Sequence, residues 1–204
     1  MKRLLTLLAI ALLSCGCPDS TKPTARHAKP FPGSAALLPF NNHSNSLVGP
    51  VLIRKLLEDM LSGSSLELQD PAETDESLRA LAITDGGQLG SVTPQKLGEK
   101  LGVEALFYGE LVDFSYTNVG VLSKRSVKAR LKLVDAKTGE TLWAAEKERV
   151  NSKAGLSADA IKENFAMGLG TKFLEKAMNS PLKPETEDVA HDLLDDLVRA
   201  KQNW

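Results

Sequence analysis

Few residues in this chain have the type and spacing to do chemistry. The three histidines, His27, His43 and His191, are far apart, and none has a second His, Asp or Glu at the spacing of a helical metal motif. They are expected to be solvated, with no metal and no cofactor. Asn41-Asn42-His43-Ser44 follows a short apolar run, a position where α/β folds often bind ligands. A phosphate cradle there would need glycines so that backbone N–H groups could approach, and none occurs before Gly49. The four residues therefore read first as a turn that satisfies backbone groups at a helix entry, and second as a candidate ligand or contact turn. Glu110 and Asp113 are paired carboxylates in sequence only, because a separation of three along a strand places them on opposite faces. No serine stands in a GxSxG context, and Asp85-Gly86-Gly87-Gln88 reads as a turn rather than a nucleotide loop. No catalytic residues are expected, and the chain is read as not an enzyme.

Two cysteines remain, Cys15 and Cys17, and they carry the sharpest expectation. Lys2 and Arg3 precede the apolar stretch Leu4 to Leu13, a signal-peptide pattern too short to span a bilayer. Leu12-Leu13-Ser14-Cys15 matches a lipobox, in which a small residue precedes the cysteine that is lipidated and becomes the new N-terminus. Cys15 is the expected lipidation site and Cys17 the second candidate. The alternatives are a secretory signal cut beyond both cysteines, or an N-terminal membrane anchor. Residues 1–14 are thus assigned to the signal peptide. Residues 15–33 form the lipidated cysteine and a tether, since positions 18–33 are rich in Pro, Ser, Thr and Lys and poor in aliphatics.

Beyond Cys17 there is no thiol, so the folded part cannot use disulfides, a thiolate nucleophile or CxxC metal sites. Hydrophobic residues make up 42% of the chain and aromatics 5%, which implies a packed core of Leu, Val and Ala. A formal net charge of −1 removes the general attraction to phosphate on which nucleic-acid binding depends.

The elements that must position these residues follow from periodicity. Ala35 to Phe40 reads as a buried strand with Pro39 near its end, and Leu47 to Leu61 as a helix capped by Ser46 and closed by Gly63. Ser65 to Gln69 predicts a strand and Glu73 to Leu81 a short helix. Thr93-Pro94 starts a helix that ends at Gly102. Ala105 to Thr117 is a long strand. Val127, Ala129, Leu131 and Leu133 alternate with Lys128, Arg130 and Lys132, and Asp135 to Gly139 turns the chain into a strand over Glu140 to Val150. Lys124, Arg125 and the alternating cations are expected to meet Glu140, Glu146 and Glu148 as solvent-facing ion pairs. Helices are expected over 157–178 and 184–201, the second with Val189, Leu193, Leu197 and Ala200 on its apolar face. The fold class is α+β: a mixed or antiparallel sheet with an antiparallel meander, covered by helices. Residues 34–180 are assigned to the domain and 181–204 to a C-terminal amphipathic helix extension, whose narrow apolar stripe reads first as docked on its own domain and second as the best candidate for a subunit contact.

Ala36-Leu37-Leu38-Pro39-Phe40-Asn41-Asn42-His43-Ser44, followed by a Leu-rich helix, resembles the opening of TolB N-terminal-like domains and of the curli-secretion lipoprotein CsgG. Leu131-Lys132-Leu133-Val134-Asp135 through Gly139-Glu140-Thr141-Leu142-Trp143 is similar to the hairpin of the same group. The order of lipobox, strand and helix, Thr-Pro helix, long strand and hairpin is similar to a subfamily of outer-membrane lipoproteins of unassigned function, from Cys15 to about Val150. The run Ala190-His191-Asp192-Leu193-Leu194 resembles its tail. This resemblance implies a TolB-N/CsgG-like domain anchored in the outer membrane by an N-terminal lipid and facing the periplasm. Its implied partners are further copies of itself or a CsgG-like envelope lipoprotein, and it brings no catalytic residues. The function expected is that of a structural or accessory subunit of an envelope assembly or secretion system. The alternative is a periplasmic lipoprotein that binds a small molecule or glycan through Asn41 to Ser44.

Overall fold

The computed structural model describes residues 30–119, 122–154 and 171–204. The lipidation candidates Cys15 and Cys17, His27, the tether up to residue 29 and most of the expected 157–178 helix lie outside the described residues.

A six-stranded mixed sheet runs in the order β3 (Glu67–Leu68), β1 (Ser34–Leu37), β4 (Ala105–Val119), β5 (Leu122–Asp135) and β6 (Thr141–Ala154). The short β2 (Asn41–Asn42) pairs with β4 further along the edge that β1 occupies. β1, β2 and β3 run parallel to their partners, whereas β4, β5 and β6 form the antiparallel meander that the alternating pattern predicts. Pro39 lacks an N–H and divides what would be one strand into β1 and β2. On either side of it Leu38 donates to Phe107 and His43 to Leu111, so pairing with β4 resumes after the break.

Helices cover both faces of the sheet. α1 (Gly49–Leu61) and α5 (Lys183–Gln202), with α4 (Thr171–Met178), bury Leu52, Ile53, Leu57, Val189, Leu193 and Leu197 over Phe107, Ala129, Leu131 and Leu133. α2 (Pro71–Arg79), a 3-10 helix over Gly86–Ser91 and α3 (Pro94–Leu101) cover the other face of β1 and β4 through Leu78, Leu89 and Leu97. Beyond that second layer the meander continues with one face open. α5 thus docks on the sheet of the domain itself, with its apolar side in the main core.

Local chemistry explains the boundaries. Thr93 caps α3 through its hydroxyl, Pro94 occupies the first turn, and Gly102 ends the helix at φ 71°. The 135–139 turn closes on Gly139 at φ 76°, and the Asp135 carboxylate accepts from the N–H groups of Lys137 and Thr138. α2 begins earlier than expected, because Asp70 accepts from Ala72 and Glu73 and Pro71 opens the first turn. α1 ends at Leu61 with Ser62 as its cap, one residue before the expected Gly63.

Candidate functional site

Asn41 to Ser44 lies between β2 and the entry of α1. Phe40 lays its ring over Gly109 of β4, where an added Cβ would lie 2.3 Å from the ring. On the other side, a Cβ on Gly86 would lie 2.2 Å from the Phe40 carbonyl carbon, so the 3-10 helix is pressed directly onto β2. The side chains of the segment bond largely to one another. Asn42 Oδ1 accepts from the Ser44 N–H at 3.0 Å and the Ser44 hydroxyl at 2.7 Å, and Asn42 Nδ2 donates to the Ser46 carbonyl at 2.8 Å. Asn41 Nδ2 lies 3.0 Å from His43 Nε2. α1 starts at Gly49 with Val48, not Ser46, as its N-cap and without a side-chain cap; Ser46 Oγ, two residues earlier, accepts from the Gly49 N–H at 3.0 Å. The segment performs the structural work of a turn and helix entry.

Beside this turn lies a cleft of about 560 Å³ between α1, α2 and the start of the 3-10 helix. Its apolar lining includes Phe40, Val51, Leu78 and Ile83. Among its charged lining residues is Arg54, not singled out from the sequence. The Leu37 carbonyl points toward the β3 side past the end of that short strand, and Arg54 satisfies it with Nε at 3.3 Å and Nη2 at 3.0 Å. The same guanidinium pairs with Asp75 at 2.8 Å and Glu58 at 3.2 Å. Glu58 is only 8% exposed, and burial raises its carboxyl above the ordinary carboxylate range against the pull of Arg54 and Lys55. The i,i+4 spacing of Arg54 and Glu58 on a Leu-rich helix was the available sequence signal. The strand end that needed a donor was not visible there.

The open face of the meander carries a ladder of charges. Glu146 of β6 pairs with Lys128 at 2.8 Å and with Arg130, and Arg130 reaches Glu110 at 3.4 Å. Hydrogen bonds from Lys128 and Arg130 hold Glu146 below its ordinary range. Glu146 and Glu148 thus take the roles expected of them as cross-strand partners. One expectation needs correction. The register of β4 shifts between Leu111 and Asp113, and this bulge returns Asp113 to the face of Glu110. The two carboxylates still have separate partners: Asp113 accepts from the hydroxyls of Ser126 at 2.6 Å and Ser115 at 3.2 Å, whereas Glu110 faces Arg130.

His43 sits in the turn and His191 beside Asp195 at 3.5 Å on the exposed side of α5. Among the described residues no three His, Cys, Asp or Glu side chains gather as metal ligands, and no helix is long and apolar enough to cross a membrane.

The family described as "Putative lipoprotein GNA1162-like" matches residues 24–203. The chain belongs to this family. A Neisseria meningitidis serogroup B protein described as "Putative lipoprotein NMB1124/NMB1162" is 25% identical over 149 residues, covering 71% of this chain and 68% of that protein. The crystal structure of lipoprotein GNA1162 from Neisseria meningitidis superposes with a TM-score of 0.56 at 21% identity, covering 63% of this chain and 90% of the other. Hypothetical protein CT253 from Chlamydia trachomatis superposes with a TM-score of 0.51 at 13% identity over 82% of this chain and 96% of that one. The GNA1162-like assignment bears out the resemblance to a lipoprotein family, and the two superpositions share the α+β fold.

Proposed function

We propose that this GNA1162-like protein is a non-enzymatic outer-membrane lipoprotein, held by a lipid on Cys15, with its domain exposed to the periplasm as a structural or accessory subunit of an envelope assembly or secretion system. The observation that carries the reading is the match to a lipoprotein family over 24–203, which begins within the Pro-rich tether that follows the Leu12-Leu13-Ser14-Cys15 signal. The resemblance of the 36–44 and 131–143 segments to CsgG and TolB N-terminal-like domains supports an assembly role, with further copies or a CsgG-like lipoprotein as partners. Gly16 after Cys15, in place of the Asp associated with inner-membrane retention, supports the outer membrane. The Asn41 to Ser44 side chains are engaged with one another and with the chain, which suits a scaffold. Crosslinking in cells tests the assembly role: recovery of self-crosslinked species or a defined envelope partner supports it, and a monomer free of partners contradicts it.

A second reading is a binding site for a small molecule or glycan through Asn41 to Ser44, next to a cleft lined by Phe40 and Arg54. It predicts a ligand-dependent rise in Tm that Asn42→Ala reduces. An unchanged Tm across a panel of metabolites and glycans contradicts it.

A further inference from the structure

At the end of the sheet where the tether enters the domain, three residues distant in sequence come together. The Phe31 ring meets the Trp204 ring edge-on, with centroids 5.2 Å apart and planes at 83°. The Lys201 ammonium lies 4.8 Å from the Phe31 ring centroid and donates to the Ser65 hydroxyl at 2.6 Å. All three side chains are half-buried, so each retains a solvent-facing part. Gly33 is fixed next to them by its N–H bond to Glu104 at 2.8 Å.

Indole and phenyl rings with a lysine form the side-chain set that sits at a bilayer interface, the rings at headgroup depth and the ammonium toward anionic headgroups. Position strengthens the assignment. Phe31 is separated from Cys15 by residues 16–30, a stretch that can span at most roughly 50 Å. A lipid on Cys15 therefore keeps this base near the membrane, where a weak contact gains from high effective concentration. The acidic residues at this end include Glu67, Glu104, Asp135 and Glu140; Glu104 accepts from Gly33, and Asp135 from Lys137 and Thr138.

We propose that Phe31, Trp204 and Lys201 form a lipid-interface seat that rests the base of the domain on the membrane to which it is tethered. The seat would direct the β4–β5 hairpin end, with exposed Val119 and Leu122, away from that membrane, because β4 runs 15 residues from base to tip, about 50 Å at strand rise. This inference rests on the anchored reading above, and its test is made without the acyl chain so that the two can fail separately.

The experiment uses the mature chain with Cys15→Ser and Cys17→Ser, mixed with vesicles of phosphatidylethanolamine and phosphatidylglycerol. Trp143 is 7% exposed and serves as the internal reference, so changes report Trp204. The expected result is co-sedimentation with vesicles, a blue shift of Trp204 emission and at least threefold lower quenching by iodide. Trp204→Ala and Lys201→Glu should each reduce vesicle binding several-fold while leaving Tm and the Trp143 emission unchanged. The seat is overturned if the protein ignores the vesicles, if it binds with Trp204 still open to iodide, or if both variants bind like the parent. Equal shielding on neutral phosphatidylcholine vesicles overturns the role of Lys201.

Discussion

Arg54 is the residue on which the cleft depends. Its guanidinium holds the Leu37 carbonyl, Asp75 and Glu58 together within a largely apolar wall. Arg54→Met is expected to destabilise the domain by about 3 kcal/mol, because it leaves two partly buried carboxylates and a strand-end carbonyl without their cation. Urea unfolding measures the loss. Glu58 gives that network a pH dependence. Its folded-state pKa is raised, so the folded chain holds the proton more readily than the unfolded chain does. Stability attributable to Glu58 is therefore present at low pH and is lost as pH climbs from the ordinary carboxylate range through the raised value. Glu58→Gln should flatten the wild-type decline over that window. A decline of unchanged slope in the variant would exclude Glu58 as its source. Gly109 is a second pivotal residue. A methyl group there meets the Phe40 ring, so Gly109→Ala is expected to cost about 2 kcal/mol by thermal or urea unfolding.

At the scale of elements, α5 is fastened to the meander by apolar packing and by charge. Val189, Leu193 and Leu197 are buried, and Asp196 accepts from Lys147 at 2.6 Å and from the Trp143 indole N–H at 3.2 Å. Removal of 183–204 should therefore unfold the domain rather than release a detachable subunit contact, a result read from solubility and far-UV circular dichroism. Hydrogen bonds from Lys147 and Trp143 hold the Asp196 carboxyl below its ordinary range. Its contribution is complete above the unfolded pKa and disappears as pH falls through the lower folded value. Asp196→Asn should therefore be less stable than the parent near neutrality, with the difference closing in acid. A constant difference down to low pH would contradict this linkage.

Much of this architecture was legible in the chain because the signals were local. Alternation from Val127 to Leu133, the Asp135 to Gly139 turn and the Thr93-Pro94 and Gly102 boundaries each report a nearby geometric requirement. What escaped depended on distant partners. Asn41 and Asn42 become a strand only because β4 offers its edge. The register shift in β4 preserves inward packing of both Leu111 and Phe114 while changing the face of Asp113. Likewise, the value of Arg54 depends on a carbonyl seventeen positions earlier in sequence. The Asn41 to Ser44 candidate was legible as a local turn, and the cleft next to it, lined by Phe40 and Arg54, was not.

For the whole molecule, the proposed lipid attachment at Cys15 would determine where this domain works. The family match, the signal before Cys15 and the fixed tether entry at Phe31 to Gly33 support a common design: an anchored base with a folded domain above it. The direct measurement is incorporation of an alkyne-labelled fatty acid in cells, followed by separation of inner and outer membranes on a density gradient. The parent and Cys17→Ser should carry label and band with the outer membrane, whereas Cys15→Ser should carry none. Full labelling of Cys15→Ser, or an unlabelled parent, would contradict the account.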